Sequence, residues 1–594
     1  MKHYMLFVLL FSMSTLLRAQ VGTPRYVASI DSAIRNDRVY LIITNQKFNS
    51  AVASFAQWKR TKGLTVYVLS AANNYVWTDQ SVLTAINDCE LSGNTVDYIL
   101  FVGDQNNVPG HACFYQIDSA NLNFYSDYFY ECKGNTANSP SVRVGRIPVS
   151  TNAEAEAVFD KIIAYEKEPT DCASFYQTAA CTSLLDFRSE ASIYPPTNVR
   201  PEAHRIICSS ENIHAYLEDS IVHPLDIKRI YFHNSPFYVF PDSLGYNNDR
   251  FAQGGLLPPE LHDSNAWLSD YYNINDSINA GNLFMTYLGD GTSRKWTNEW
   301  FGDSTVYSEE KIDQLINYDK YPVIWSLASK TGLYDETTNC PAEFFLKKND
   351  AGAVAVIAPT DMAFDGYREY LAEGFVNAVW PTPGINQQHP LNTPVYELGD
   401  ILAVSRGWMG YMKFFDTNTL YMSDTYRYGH QKDSYHLFGD PSMMMYTALP
   451  SHYSNVIIRK NGNLLIVDTH EPNTRITFYT PAAPDEDYVD SYIGEHVEYL
   501  NEILGDSMLI CIDKHNFVPY IQAWHYNLYI QNETISDTRS YIGENINIGH
   551  HVTSNKPQGN VLIQGANLDI QGGNVTLCAG TTIVNSNVTI NRRE

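Results

Sequence analysis

The sequence predicts an α/β fold for most of the chain, followed by a β-rich C-terminal part. Short apolar segments rich in β-branched residues, typical of strands buried on both faces, alternate with helical patterns from Val39 to about Leu449. Such alternation favours a mostly parallel sheet covered by helices. After Leu449 the helical patterns stop, and alternating segments between Asn, Gly, Asp and Pro turns take over.

The N-terminus, residues 1–19, has the pattern of a secretory signal peptide. Lys2 precedes an apolar run from Met5 to Leu17, which is shorter than the ~20 residues that a membrane-spanning helix needs. We expect cleavage after Ala19 and export of the chain to the periplasm, the outer surface or the medium; an uncleaved anchor is the alternative. No later segment is long and apolar enough to span a bilayer, so we expect no integral membrane segment in the mature chain.

The charge of the chain argues against two classes of partner. The 594 residues include 40 Lys+Arg and 66 Asp+Glu, a net charge of −26, which becomes −28 when Lys2 and Arg18 leave with the signal peptide. An acidic chain has no bulk electrostatic attraction to nucleic acid or to an anionic membrane. At roughly 150 residues per domain, the length indicates about four modules.

The nine cysteines do not form a recognisable site. Their number is odd, their positions are scattered, and no CxxC pair exists, so neither a zinc cluster nor a thioredoxin-type site is indicated. Export permits disulfides. Their connectivity cannot be read from the sequence, and at least one thiol has no partner within the chain.

The α/β part is predicted to consist of two subdomains, residues 20–170 and 171–447. In the first, an amphipathic pattern from Phe48 to Trp58 predicts a helix, and Ser150-Thr151-Asn152 is predicted to cap another. The predicted strands are Val39–Thr44, Leu64–Leu69, Asp97–Val102 and Val142–Val149 in the first subdomain, and Phe284–Leu288, Val323–Ala328 and Gly352–Ala358 in the second.

Two polar residues of the second subdomain stand at predicted strand ends. Asp290 follows the strand Phe284–Leu288, and Ser329 follows the strand Val323–Ala328. Open α/β sheets place their chemistry outside the carboxyl ends of the strands, so both residues are candidates on geometry alone.

Two β-rich modules complete the chain. Residues 448–535 are predicted to form a small β-sandwich. In residues 536–594, the apolar segments Val561–Ile563, Leu568–Ile570 and Val575–Leu577 recur at a step of seven, and Val588–Ile590 continues them. They favour a small solenoid of repeated β-turns, and a loosely ordered polar tail is an equally open alternative.

Five sequence blocks, in order along the α/β part, resemble the gingipains, secreted cysteine peptidases of the caspase-like clan. The resemblance implies a caspase/gingipain-like α/β fold with flanking helices and an immunoglobulin-like β-sandwich after it. The blocks are Val102-Gly-Asp104 with Val108-Pro109; Ser126-Asp127 with Val144–Val149; Thr286–Gly291 with Trp296; Ile324–Gly332 with Cys340-Pro-Ala-Glu343; and Phe438-Gly-Asp-Pro-Ser442.

The resemblance implies a His/Cys catalytic dyad whose two positions are substituted here. Asp290 stands where the family has its His, within Gly289-Asp290-Gly291, and Ser329 stands where the family has its Cys. A Ser hydroxyl is a poor nucleophile unless a base activates it. A carboxyl group, with an ordinary pKa of about 4, is a weak base and cannot protonate a leaving amine at neutral pH.

Other residues offer alternative chemistry. Lys330 adjoins Ser329, but successive strand residues face opposite ways. Cys340 matches a second, non-nucleophilic Cys of the block, and a buried structural thiol is the favoured interpretation. His111 and Cys113 lie in a predicted loop of the first subdomain, away from the expected site.

Carboxylates of the blocks have plainer interpretations than catalysis. Asp290 either binds a cation or basic ligand or serves as a turn residue between two glycines, the favoured interpretation. Asp127 and Glu343 are expected to be solvated or capping groups. No cofactor is required; the resemblance admits structural Ca²⁺, whose ligands leave little sequence signature.

Three hypotheses of function follow. The leading one is a secreted protein with the gingipain-type fold, catalytically inactive, that binds a protein or peptide ligand at or near the cell surface. The second is an active cysteine-type, or atypical serine, endopeptidase of extracellular proteolysis. The third, a glycan-binding protein, rests only on the 42 tyrosines and the β-rich tail. The substrate-binding residues, metal ligands and oligomeric state are not predicted.

Overall fold

The computed structural model describes most of the chain from Ile34 onward, so the predicted signal peptide lies outside the described residues. The described ranges are 34–73, 75–135, 139–185, 202–219, 225–233, 258–261, 264–298, 304–335, 338–385, 393–413, 425–462, 464–481, 488–500 and 507–592.

These residues form two compact units. The first consists chiefly of Tyr40–Phe55 and Leu69–Pro450. The second contains Ser451 and the residues after it, together with short N-terminal segments such as Ala56–Val68. The predicted change from α/β to all-β pattern near Leu449 thus falls within two residues of the boundary between the units.

A ten-stranded sheet forms the centre of the α/β fold. Its strands are β1 (Arg38–Asn45), β2 (Leu64–Ala71), β3 (Val96–Val102), β4 (Arg143–Ile147), β5 (Thr178–Leu185), β6 (Asp226–His233), β7 (Phe284–Leu288), β8 (Val323–Leu327), β9 (Ala355–Pro359) and β10 (Tyr435–Phe438).

Helices flank this sheet, as the alternating pattern predicts. They are α1 (Asn49–Thr61), α2 (Asp79–Leu91), α3 (Tyr128–Glu131), α4 (Asn152–Lys167), α5 (Glu202–Asp219), α6 (Tyr271–Ala280), α7 (Glu309–Ile312), α8 (Pro341–Lys347), α9 (Tyr367–Val379), α10 (Leu398–Met412) and α11 (Thr425–Ser434). None of these helices, within the described residues, has both the length and the apolar character that crossing a membrane requires.

The order of the strands shows that the two predicted subdomains share one sheet. The order is β2-β1-β3-β4-β10-β9-β8-β7-β5-β6. Strand β10, late in the chain, pairs parallel to β4 and antiparallel to β9 and so joins strands from the two halves. The predicted boundary at residue 170 therefore lies inside one compact unit. Strand β10 pairs with strands that are far from it in sequence, and local sequence patterns do not predict such pairing.

Local sequence signals set the ends of several elements. The Thr151 hydroxyl accepts a hydrogen bond of 3.2 Å from the backbone N–H of Glu154, the capping box of α4. Gly63, after α1, has a φ of 95°, which glycine adopts without steric cost. All residues of β7, β8 and β9 are buried, as strands covered on both faces require.

The described part of the α/β unit also contains two smaller sheets. His111–Ile117 and Ala120–Ser126 form a hairpin, so the segment predicted as a loop is a strand. Asp290–Thr292, Lys295–Asn298 and Ser304–Ser308 form a three-stranded sheet directly after β7.

From Ser451 onward, the described residues of the second unit form three sheets. Its strands are β11 (Ile457–Asn461), β12 (Leu464–Asp468), β13 (Arg475–Thr480), β14 (Tyr488–Ile493), β15 (His496–Leu500), β16 (Ser507–Asp513), β17 (Tyr520–Ile530), β18 (Glu533–Ile535), β19 (Arg539–Ile548), β20 (Val561–Gln564), β21 (Asn567–Leu577), β22 (Thr581–Val584) and β23 (Asn587–Arg592), with Ile34–Arg35 paired to β14.

Antiparallel pairing in this unit gives way to parallel pairing along the chain. The sheet β11-β12-β15 and the strands β13, β14 and β16 are antiparallel and share one apolar core. Strand β17 pairs antiparallel to β16, and the same sheet continues with the parallel strands β17-β19-β21-β23. These strands and the parallel sheet β18-β20-β22 surround a second core. We call residues 520–592 the C-terminal roll.

The seven-residue step of the tail does not set the coils of the roll. Leu568–Ile570 and Val575–Leu577, one step apart, lie on the same strand β21. The coils follow the strand pairing instead. Ile570 pairs with Ile590 at a separation of 20 residues, whereas Arg539 pairs with Leu568 at 29 and His525 with Gly543 at 18.

Candidate functional site

Three neighbouring parallel strands end at the same edge of the central sheet. Leu288 of β7 pairs with Leu327 of β8, and β8 pairs parallel to β9. A polar residue stands two positions beyond the end of each strand: Asp290 after β7, Ser329 after β8 and Asp361 after β9. The topology therefore places the two candidates predicted from sequence side by side, with a third polar residue next to them.

The loops after β7 and β8 are in contact. A Cβ atom on Gly291 would lie 2.9 Å from the Ser329 carbonyl oxygen and 2.7 Å from Thr331 Cγ2, closer than real Cβ contacts. Glycine therefore allows the chain beside Asp290 to approach the chain at Ser329. The structure brings these two predicted residues to one place.

The Ser329 hydroxyl is held by a backbone donor. Its Oγ accepts a hydrogen bond of 3.0 Å from the N–H of Ala363, in the loop after β9. Within the described part of the chain, Ser329 Oγ has no hydrogen bond to a His, Lys, Asp or Glu side chain. The hydroxyl thus lacks a bound base that could take its proton.

Lys330 is directed to a different partner. Its backbone is left-handed, with a φ of 62°, so the strand alternation assumed for it does not apply. Its Nζ lies 3.9 Å from Asp361 Oδ1, and its side chain is half exposed. The Lys330 ammonium therefore pairs with the carboxylate after β9.

Asp361 also fixes a buried histidine, which the sequence analysis missed. His430 Nε2 lies 3.1 Å from Asp361 Oδ2, and its Nδ1 lies 2.9 Å from Gln431 Nε2. Because an amide NH₂ only donates, this network assigns Nδ1 as the acceptor and Nε2–H as the donor to Asp361. Both ring nitrogens of His430 are occupied, and the ring is fully buried.

Arg368 is the second residue that the sequence analysis missed. Its Nη1 donates a hydrogen bond of 2.7 Å to the Gly289 carbonyl, and its Nη2 pairs with Asp365. Burial lowers the pKa of this guanidinium, but Asp365 and Glu369 more than offset that and raise it. The positively charged Arg368 guanidinium thus contacts the backbone of Gly289, the residue before Asp290.

One sequence signal could have found this segment. The predicted strand Gly352–Ala358 is followed by Pro359-Thr360, so residues 361–368 stand at a carboxyl end like Asp290 and Ser329. Polar residues at this strand end are candidates for the same geometric reason as Asp290 and Ser329.

Cys340 and Glu343, which belong to the same sequence block as Ser329, have structural roles. Cys340 is fully buried, and burial raises the pKa of its thiol well above the ordinary value. Glu343 Oε2 accepts a hydrogen bond of 2.9 Å from the Cys340 N–H at the start of α8, and its Oε1 pairs with Lys347. Glu343 is thus a capping group, as expected.

His111 and Cys113 are also engaged elsewhere. His111 Nδ1 lies 3.0 Å from Asp79 Oδ2, and the ring stacks on Phe129. Burial raises the pKa of Cys113 to about 12, which leaves a protonated thiol at neutral pH. All nine cysteines of the chain are free thiols.

Asp127 is not the solvated or capping group that was expected. It is buried in a two-point ion pair with Arg146, at 2.6 and 2.7 Å, and its Oδ2 lies 3.4 Å from His436 Nδ1. Burial alone would raise the pKa of Asp127, but the Arg146 guanidinium lowers it well below the ordinary value. The Asp-Arg pair anchors the hairpin end at Ser126 to strand β4.

Candidate metal ligands are the His, Cys, Asp and Glu side chains of the described residues alone. No three His, Cys, Asp or Glu side chains converge as a ligand set in the described ranges. The Ca²⁺ that the resemblance admits therefore has no ligand set assigned to it here.

Comparisons with known proteins agree with this fold. Gingipain R2 of Porphyromonas gingivalis is 21% identical over 426 residues, which cover 69% of this chain and 46% of the relative. A gingipain R1 of Porphyromonas gingivalis is 22% identical over 432 residues, 70% of this chain and 35% of the relative. The chain thus spans less than half the length of these relatives.

A solved structure of a relative has the same fold. The crystal structure of the Arg-specific cysteine proteinase gingipain R superposes with a TM-score of 0.60 at 18% identity, over 82% of this chain and 97% of that one. The model of the family described as Peptidase family C25 matches residues 34–446, well over half of the chain. This chain belongs to peptidase family C25, the family of the gingipains.

Proposed function

We propose that this chain is a catalytically inactive member of the family that binds a protein or peptide ligand outside the cytoplasm, at or near the cell surface. The observation that carries the proposal is the state of Ser329, whose hydroxyl accepts a backbone hydrogen bond and has no base as a partner within the described residues.

The chemistry of peptide hydrolysis supports this proposal. A hydroxyl needs a neighbouring base to attack a carbonyl, and the leaving amine needs an acid that is protonated near neutral pH. By the family resemblance, Asp290 and Ser329 take the places of the catalytic His and Cys. His430, the histidine paired with Asp361 after the neighbouring strand, has both nitrogens engaged.

The location follows from the N-terminal sequence. The Lys2 charge, the short apolar run and Ala19 are the parts of a secretory signal. No step of the proposal passes through a metal ion or a cofactor.

The alternative is an active endopeptidase with an atypical site. The observation that favours it is the adjacency of Asp290 and Ser329 at one sheet edge, where the family's fold holds its chemistry. Direct attack by Ser329 would then require a base that becomes available when substrate binds.

A gain-of-function variant tests the proposal. Asp290→His/Ser329→Cys would restore the family's residue types at two adjacent loops, so we expect hydrolysis of Arg-, Lys- or mixed-sequence peptides from the double variant only. Each single variant is the matched control, because a thiol without its base, or a base without its thiol, lacks half of the dyad.

Two results would count against the proposal. One is turnover by the wild type that Ser329→Ala abolishes. The other is a double variant that stays folded by circular dichroism yet is inactive, which would show that the two positions do not correspond to the dyad.

A further inference from the structure

The last coil of the C-terminal roll presents an uncovered apolar edge. In the preceding coil, Ile563 and Ile570 are fully buried. Their partners in register on the last coil, Ile583 and Ile590, are 45% and 44% exposed. The difference arises because the last coil is stacked on one side only, with β22 and β23 at the ends of their sheets.

Most of this edge lacks the features that usually prevent edge-to-edge pairing. Exposed edge strands are normally protected by charged side chains, prolines or bulges. The segments Thr581–Val584 and Asn587–Asn591 contain no charged residue and no proline, and Arg592, the last residue of β23, is the one charged residue of the two strands. Within the described residues, no further strand pairs with the outer sides of β22 and β23.

The sequence of β23 indicates which strand fits. Asn587-Val-Thr-Ile-Asn591 reads nearly the same in both directions. If a second copy pairs antiparallel about Thr589, each Asn587 faces an Asn591, each Val588 faces an Ile590, and Thr589 faces itself. A twofold interface requires such self-complementarity, and β-branched cross-strand pairs stabilise antiparallel sheets.

Asparagine pairing already joins the coils within one chain. Asn587 Nδ2 donates to Asn567 Oδ1 at 2.9 Å, and Asn574 Nδ2 donates to Asn545 Oδ1 at 3.0 Å. Across the twofold axis, Asn587 and Asn591 would supply the same kind of donor and acceptor, so the new pairing continues an interface that the roll uses internally.

We propose that β23 is a self-association edge, through which two copies of this chain form an antiparallel dimer with Thr589 on the twofold axis. The contact is small, one or two short strands a side, and belongs to the class of interfaces that dissociate on dilution. It is independent of the site at Asp290 and Ser329.

Opposite charges at Thr589 test the proposal. Thr589 is exposed, so Thr589→Lys and Thr589→Glu should fold like the wild type, as judged by thermal unfolding. In the dimer, each variant would place two like charges against each other. In analytical ultracentrifugation of the full mature chain, we expect a monomer–dimer equilibrium for wild type, monomers for each variant alone, and heterodimers when the two variants are mixed.

Thr576→Lys is the matched control, because Thr576 is an exposed threonine of β21 outside the paired segment. We expect it to dimerise like wild type. A wild type that stays monomeric over the whole concentration range would overturn the proposal. So would variants that dimerise unchanged, a mixture without heterodimers, or open-ended oligomers in place of dimers.

Discussion

At Ser329, one backbone contact sets what the side chain can do. The Ala363 N–H points at the hydroxyl oxygen, and neither the Lys330 ammonium nor the His430 ring forms a hydrogen bond to it. Lys330 and His430 share Asp361 instead. Lys330, next to Ser329 in sequence, and Asp361, after the next strand, therefore interact with each other and not with the Ser329 hydroxyl.

The buried pair Asp127–Arg146 makes a residue-level prediction about acid stability. Because Arg146 holds the pKa of Asp127 below its ordinary value, the unfolded chain takes up this proton first as pH falls. The stabilisation is complete above the ordinary pKa near 4 and is lost progressively as the pH falls from there toward the lowered pKa of the folded state. Asp127→Asn should cost about 3–5 kcal/mol at neutral pH, since it leaves a buried guanidinium unpaired.

Urea unfolding at pH 7 and at pH 3 measures this effect. The difference in unfolding free energy between wild type and Asp127→Asn should shrink at pH 3. Asp537→Asn is the control, because Asp537 pairs with Arg539 at the surface and should show no measurable change. A constant difference at both pH values would contradict the assigned pKa direction.

At the scale of elements, helix α4 is tied to the end of α8 by a buried lysine. Lys161 Nζ lies 2.7 to 3.2 Å from the carbonyl oxygens of Leu346, Lys348, Ala351 and Ala353, so its N–H groups are shared among four acceptors. Two of these carbonyls belong to the last turn and C-cap of α8, whose unsatisfied acceptors favour a cation.

Lys161→Met should therefore destabilise the α/β unit while keeping the volume of the side chain. Burial lowers the pKa of Lys161 to about 7. Buried carbonyls that lose their donor cost roughly 1–3 kcal/mol each where no water replaces it, so we expect a loss of at least about 2 kcal/mol. Lys167→Met, on the exposed end of the same helix, is the control. Equal urea midpoints for both variants would contradict this role of Lys161.

Sequence patterns predicted elements better than their long-range connections. The strand ends at Asp290 and Ser329 were predictable, because burial and β-branching mark β7 and β8 over a few residues. The joining of both halves through β10 was not, since that pairing depends on residues far apart in sequence. His430 was missed for the same reason, because 69 residues separate it from Asp361.

At the scale of the whole molecule, the order of modules was predictable from the hydrophobic period. The change from α/β alternation to strand-only pattern near Leu449 matches the boundary of the two units at Pro450 and Ser451. The coil length of the C-terminal roll was not predictable. Two apolar segments with strand-like alternation can belong to one long strand, as in β21, or to two successive coils, and the sequence pattern is the same in both cases.

The family membership of this chain and its proposed inactivity depend on different observations. The fold and the family follow from the match over residues 34–446. The proposed inactivity depends on two side chains, Asp290 and Ser329, and on the hydrogen bond from Ala363.

The rate at which the purified mature chain hydrolyses Arg-, Lys- and mixed-sequence peptides tests the proposed inactivity most directly, measured beside Ser329→Ala. We expect both proteins to match the uncatalysed rate, because no described base is positioned to activate the Ser329 hydroxyl. Turnover by the wild type that disappears in a folded Ser329→Ala variant would contradict the account.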